Sequence, residues 1–268
     1  MAFIAAVLVS CQSMARQDDD CGYDGYRLVW SEEFNEAGKP DPAKWNYEKG
    51  FVRNHEWQYY QEDNACVHDG MLTITAREET GRDGIECTSS SINTRGKFEF
   101  LYGRLEVRAR IPYAKGAWPA IWTLGSTWEW PSGGEIDIME FYHIDGVPTI
   151  LANFAHGSDE QYKAVWNSTT TPYSHFLERD PYFSDKFHIW RMDWDKDAVA
   201  IYLDGELLNR IDINKTMNGR LGDHKSPFRT PQYILLNLAM GGDHGGEIDR
   251  AALPVCYDID WVRVYKPL

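Results

Sequence analysis

The chain has 268 residues, with 27 Lys and Arg against 41 Asp and Glu, a formal net charge of −14. That balance excludes a nucleic-acid binder, which needs a basic stripe, and disfavours anionic substrates in general. The 11 Trp, 15 Tyr and 11 Phe exceed what a core of this size needs, so either the core is ring-heavy or rings line a groove for a neutral, flat-faced ligand.

Residues 2–9 form a short apolar run, and no run reaches the roughly 18 residues of a membrane span. Leu8-Val9-Ser10-Cys11 resembles the lipobox of bacterial lipoproteins, although no Lys or Arg precedes Cys11. Residues 1–20 are therefore expected to be a signal peptide with a polar tether over 12–20, and residues 21–268 a single domain. Acyl chains on Cys11 would hold the protein at a membrane surface without a spanning helix. Cys21, Cys66, Cys87 and Cys256 match no zinc spacing, and disulfides and free thiols stay open.

Farther along, the dominant period is two. Asn54, Glu56 and Gln58 alternate, so all three are expected on one polar face, with Trp57 out of phase in the core. Short strands are predicted from Leu72 to Ala76, from Gly103 to Ile111, from His188 to Met192 and from Ile259 to Tyr265. Val199 to Leu208 reads as a hairpin about Asp204-Gly205. Residues 158–186 and 214–231 read as loops over one face. With 22 Gly, 12 Pro and no helical period beyond a turn or two, the expectation is an all-β antiparallel sandwich or barrel.

The segment Gly133-Gly134-Glu135-Ile136-Asp137-Ile138-Met139-Glu140-Phe141 carries the most chemistry. In a regular strand Glu135 and Asp137 share a face, about 6.6 Å apart, while Glu140 falls on the opposite, apolar one. Burying a lone carboxylate there costs several kcal/mol. A β-bulge near Ile138-Met139 returns Glu140 to the face of the other two, and bulges are common beside active sites.

This segment resembles the E-x-D-x-x-E motif of glycoside hydrolase family 16, in its bacterial laminarinase and mixed-linkage β-glucanase group. Other stretches follow the family's order: Asn54 to Tyr60, Tyr102 to Ala109, Trp118-Pro119-Ala120-Ile121-Trp122, Asn237 to Gly242, and Asp260 to Tyr265. The resemblance covers roughly residues 28–266. It implies a jelly-roll of two curved antiparallel sheets with a concave cleft, and hydrolysis with retention. It implies Glu135 as nucleophile, Glu140 as acid and base, and Asp137 as partner of the nucleophile. Three acids so close titrate as a coupled set. Trp118, Trp122, Asn54, Glu56, Gln58 and His156 are implied substrate contacts. Ser91 stands where many laminarinases have an arginine, and Ala155-His156-Gly157 departs from the usual His-Trp-Gly order.

The resemblance further implies a structural calcium ion held by Glu33, the carbonyl of Gly70 and Asp260, stapling the first and last strands; catalysis itself is expected to need no cofactor. The expected substrate is β-1,3-glucan or mixed-linkage β-1,3/1,4-glucan, and the expected protein an exported monomer anchored at the bacterial surface or outer membrane, or otherwise secreted. Two alternatives are the same mechanism on a galactan such as agarose, porphyran or carrageenan, and a non-catalytic glycan-binding protein.

Overall fold

A computed structural model describes residues 25–268; the expected signal peptide and tether, with Cys11, and Cys21 lie outside the described residues. The strands are β1 (Tyr26–Glu32), β2 (Asn46–Tyr47), β3 (Tyr59–Tyr60), β4 (Ala65–His68), β5 (Met71–Glu78), β6 (Cys87–Ser89), β7 (Ser91–Asn93), β8 (Gly103–Arg110) and β9 (Ala117–Gly125). They continue as β10 (Glu135–Ile144), β11 (Val147–Gly157), β12 (Ala164–Pro172), β13 (His188–Trp194), β14 (Ala198–Leu203), β15 (Glu206–Asp212), β16 (Gln232–Met240) and β17 (Val255–Pro267). Two single-turn helices, α1 (Ser174–Leu177) and α2 (Gly242–Gly245), accompany them.

These strands build the all-β antiparallel sandwich expected from the period of two, in the jelly-roll form that the resemblance implies. One sheet of seven strands runs β12-β11-β10-β9-β16-β7-β2; the other, of ten, runs β15-β14-β13-β8-β17-β5-β6-β3, with β1 also on β17 and β4 on β5. The neighbours are antiparallel except β3 with β6. Core side chains alternate inward from both sheets: Leu105, Val107 and Ala109 of β8 meet Ile136, Ile138 and Phe141 of β10, all fully buried. Each large aliphatic or aromatic group so buried contributes about 1.5–3 kcal/mol.

The hairpin about Asp204 and Gly205 is present, with both residues at positive φ (47° and 87°), as a tight two-residue turn requires. Residues 214–231 are irregular with short 3-10 turns. Residues 158–186 differ from expectation, because they contain β12 and α1. β12 is an edge strand whose residues are mostly exposed on both faces, so it lacks the alternation that marks a half-buried strand. Trp190 is fully buried and Trp57 packs partly buried against the core, whereas Trp261 lies half-buried outside it, with the Arg263 guanidinium 4.3 Å over its ring. Cys66, Cys87 and Cys256 are free thiols; Cys87 is buried, which pushes its thiol up to about 12 and leaves it unreactive.

The positions expected to hold calcium sit on or beside β1, β5 and β17. Asp260 lies on β17 between Ile259, the last residue that β5 pairs, and Val262, the first that β1 pairs, while Gly70 directly precedes β5 and Glu33 directly follows β1. Both carboxylates carry guanidinium partners: Arg263 grips Glu33 with two bonds of 2.8 and 2.9 Å, and Arg108 bonds Asp260. The donor set is all oxygen, which suits a hard cation, although these arginines already tie β1 and β8 to β17.

Candidate active site

The seven-stranded sheet presents an open cleft of about 750 Å³ on its outer face. Its floor is a grid set by register. Across the strands, Trp122, Asp137, Asn153 and Ser168 form one row, and Leu124, Glu135, Ala155 and Trp166 the next. A third row holds Asn237, Ala120, Glu140 and Leu151.

The bulge is where the sequence places it. Asp137 opposes Asn153 and Glu140 opposes Leu151, so three steps on β10 match two on β11; on the other side Met139 opposes Ile121 after Asp137 opposes Trp122. Ile138 and Met139, adjacent in sequence, are thereby both fully buried, and Glu135, Asp137 and Glu140 all line the cleft. Gly134, just ahead of the strand, lies at φ +81°, where a Cβ would sit 2.7 Å from Pro227, so only glycine leads the chain into Glu135 there.

Each acid has a distinct environment. Glu140 accepts from Trp118 Nε1 at Oε1 and from Asn153 Nδ2 at Oε2, both at 2.8 Å. Burial, only partly countered by the Trp118 bond, and the charge of Glu135 push its carboxyl up to about 7. Glu135 accepts from Trp130 Nε1 at 2.5 Å. Burial raises it too, while the bonds from Trp130 and Asp137 and the charge of Arg53 pull it back. Asp137 is 2% exposed, and burial, then the charges of Glu135 and Glu140, hold it well above the usual carboxylate range. Its Oδ2 accepts nothing from the protein, as fits a protonated oxygen donating to Glu135.

Asn54 and Glu56 line the cleft, but on a turn rather than a strand, with Asn54 at φ 55°. Asn54 Nδ2 donates to Glu56 Oε1 (3.2 Å) and Gln58 Nε2 to Glu56 Oε2 (2.6 Å). Gln58 is not a cleft residue: it is 1% exposed and accepts from Met240 N at 2.7 Å, so its polarity anchors this turn to β16. The close approach of α2 to that turn requires Gly242, whose Cβ would lie 2.6 Å from the Asn54 carbonyl oxygen.

Trp118 and Trp122 line the cleft but are only 6% and 8% exposed. Trp118 serves Glu140; Trp122 donates to Asn237 Oδ1 at 2.7 Å and lies under the Arg53 guanidinium, 5.1 Å away. The broad indole faces open to a sugar are instead Trp130, 39% exposed, and Trp166, 49% exposed, neither singled out from sequence. Asn153, Asn237, His244 and Tyr142 were also missed. The Asn237-Leu238-Ala239-Met240 run within the family-like segment was the one available signal for any of them.

His156, implied as a substrate contact, does not line the cleft. Register puts Ala155 opposite Glu135, so the next residue, His156, opposes Val165 and points to the other face, into a separate cavity. Ser91, where the resemblance leads one to expect an arginine, sits beside a carboxylate that holds one. Ser91 Oγ donates to Glu48 Oε2 at 2.6 Å, Glu48 pairs with Arg53, and Arg53 is the one Lys or Arg lining the cleft among the described residues. Its Nη1 is buried without a hydrogen-bond partner in the protein.

Such a pair of carboxyls, one kept protonated near neutrality and the other supported as an anion, can divide acid and nucleophile roles at one bond. The family model for glycosyl hydrolases family 16 matches residues 51–263. A β-glucanase of Rhodothermus marinus is 36% identical over 99% of this chain and 93% of its own length. The X-ray structure of the Rhodothermus marinus laminarinase superposes with a TM-score of 0.78 at 34% identity, covering 91% of this chain and 98% of that one. A keratan-sulfate endo-1,4-β-galactosidase of Sphingobacterium multivorum is 30% identical over 90% of this chain and 55% of its own.

Proposed function

The chain belongs to glycosyl hydrolases family 16, and on that premise we propose that it is a retaining endo-β-glucanase acting on β-1,3-glucan or mixed-linkage β-1,3/1,4-glucan. The observation that carries this is the bulge in β10, which sets Glu135 and Glu140 on one face of the cleft floor.

Retention requires two carboxyls on one substrate, one attacking and one donating a proton. Glu140, raised to about 7 by burial, holds its proton at neutral pH and passes it to the departing glycosidic oxygen. Glu135, ionised with help from Trp130, Asp137 and Arg53, attacks the anomeric carbon and forms a glycosyl-enzyme ester. Negative charge then leaves Glu135, while Glu140 is now an anion. It takes a proton from water, and the hydroxide so generated displaces Glu135 from the sugar. Trp130 and Trp166 offer faces for pyranose stacking, and Asn54, Glu56, Arg53 and Asn237 offer hydrogen bonds.

The test is incubation of purified protein with laminarin, barley β-glucan, lichenan, agarose and keratan sulfate, following product size. Internal cleavage of a glucan is expected; cleavage of none of the three glucans overturns the assignment.

Three further parts of the proposal concern the whole protein. An acylated Cys11 anchors an exported monomer at the cell surface, which a Cys11→Ser variant released from the membrane would support. A calcium ion where β1, β5 and β17 meet adds stability and takes no part in the reaction. Its test is the melting temperature in calcium and in chelator, with a drop expected in chelator for the wild type and none for Asp260→Asn.

A further inference from the structure

A second cavity, of about 420 Å³, opens at the rim of the sandwich between β12, the edge of one sheet, and β15, the edge of the other. It shares one wall with the cleft: Trp166 lines both. Trp166 lies in the row of Glu135, with only Ala155 between them, so its backbone is two strand spacings, about 10 Å, from that of the nucleophile.

The remaining lining is chemically specific. Arg210 and Lys215 both face the cavity, and neither forms an ion pair among the described residues, in a chain whose acids outnumber its bases 41 to 27. The carboxylate beside them, Asp212, accepts at Oδ1 from the backbone and side-chain nitrogens of Asn214, capping the turn that carries Lys215. His156 forms part of the lining at 8% exposure; burial lowers its pKa and keeps the ring neutral, so it brings hydrogen bonding rather than charge.

We propose that this cavity receives an anionic substituent, a carboxylate or sulfate ester, on a glycan whose backbone lies in the cleft, with Trp166 as the wall the chain crosses. Arg210 and Lys215 against the single carboxylate of Asp212 leave a net positive charge at one opening of an otherwise acidic protein, and such a field selects for negative charge. The shared indole wall argues for a group attached to the bound chain, because a chain stacked on Trp166 brings its substituents to the cavity mouth. The proposal rests on the reading of the cleft as a glycan site.

The test compares kcat/KM on laminarin and on carboxymethylated laminarin of matched length, at low salt, for wild type and Arg210→Gln/Lys215→Gln. The variant is expected to lose about tenfold on the carboxymethylated substrate, through KM, and nothing on laminarin, which also reports that it folds. Added salt should shrink the difference. An unchanged ratio between the substrates, or an equal loss on both, overturns the proposal. If the wild type cleaves neither, the glucanase reading fails on its own, and calorimetric binding of the same two polymers to the same two proteins decides this one.

Discussion

Asn153 lies directly opposite Asp137 on the neighbouring strand, yet its Nδ2 reaches past it to Glu140 Oε2 at 2.8 Å. The bulge makes this diagonal bond available, and Asn153 with Trp118 holds the proposed acid by both oxygens. The acid's orientation and proton affinity are thus set by two neighbouring strands.

The alkaline limb of the pH profile follows from Glu140. Its carboxyl is raised to about 7 and must be protonated to act, so activity should fall as pH rises through about 7. The Trp118 bond favours the ionised form, so Trp118→Phe should move that limb to higher pH while lowering kcat. A limb that stays in place or moves down contradicts this assignment.

Asp137 governs the other side. Its donation lowers Glu135 and helps keep the nucleophile ionised. Asp137→Ala should move the acid limb of kcat/KM to higher pH and cost about 10²-fold or more in kcat. Asp137→Asn keeps a donor and should retain the limb position better. Equal profiles for the two variants would remove Asp137 from this role.

The same burial carries a stability cost. The unfolded carboxyl of Glu140 titrates near 4.5 and the folded one near 7, so the folded state binds the extra proton between them and wild-type stability falls as pH rises across that window. Glu140→Gln removes the titration. Its melting temperature should rise relative to wild type from pH 4.5 to 7 and hold that advantage above, by roughly 2–4 °C for each kcal/mol relieved. Differential scanning calorimetry at pH 4.5, 6 and 8 checks the trend; a constant difference contradicts it.

Exposure separates the cleft tryptophans. Trp166→Ala removes a half-exposed face far from any proton transfer and should raise KM about 5- to 30-fold on long glucans with little change in kcat. Trp130→Phe keeps a ring but loses the bond to Glu135, so it should lower kcat more than it raises KM. Trp122, 8% exposed beneath Arg53, should on substitution act through both parameters and through stability. Steady-state kinetics on a graded set of laminarioligosaccharides distinguishes the three patterns.

Much of this was legible in the chain because chemistry left one arrangement affordable. Glu140 could not point into the core beside Ile136, so the bulge is readable from the residues alone. The Asp204-Gly205 turn announced its hairpin. What escaped depends on neighbours. The phase of β11, and with it the orientation of His156 against Ala155, is fixed by pairing with β10, because two apolar-compatible phases fit the same segment. β12 hid because an edge strand wet on both faces shows no period. Trp166 is exposed only because β12 is that edge, and Trp118 and Trp122 are covered because β9 is central. Arg53 is linked to Ser91 through Glu48, by a contact 43 residues long in sequence.

The most direct test of the central claim is time-resolved proton NMR of laminarin during hydrolysis, run with wild type and Glu135→Gln. The account predicts that new reducing ends appear first as the β-anomer and only later equilibrate, and that the variant produces none at comparable rates. Initial formation of the α-anomer, or unchanged hydrolysis by Glu135→Gln, would contradict it.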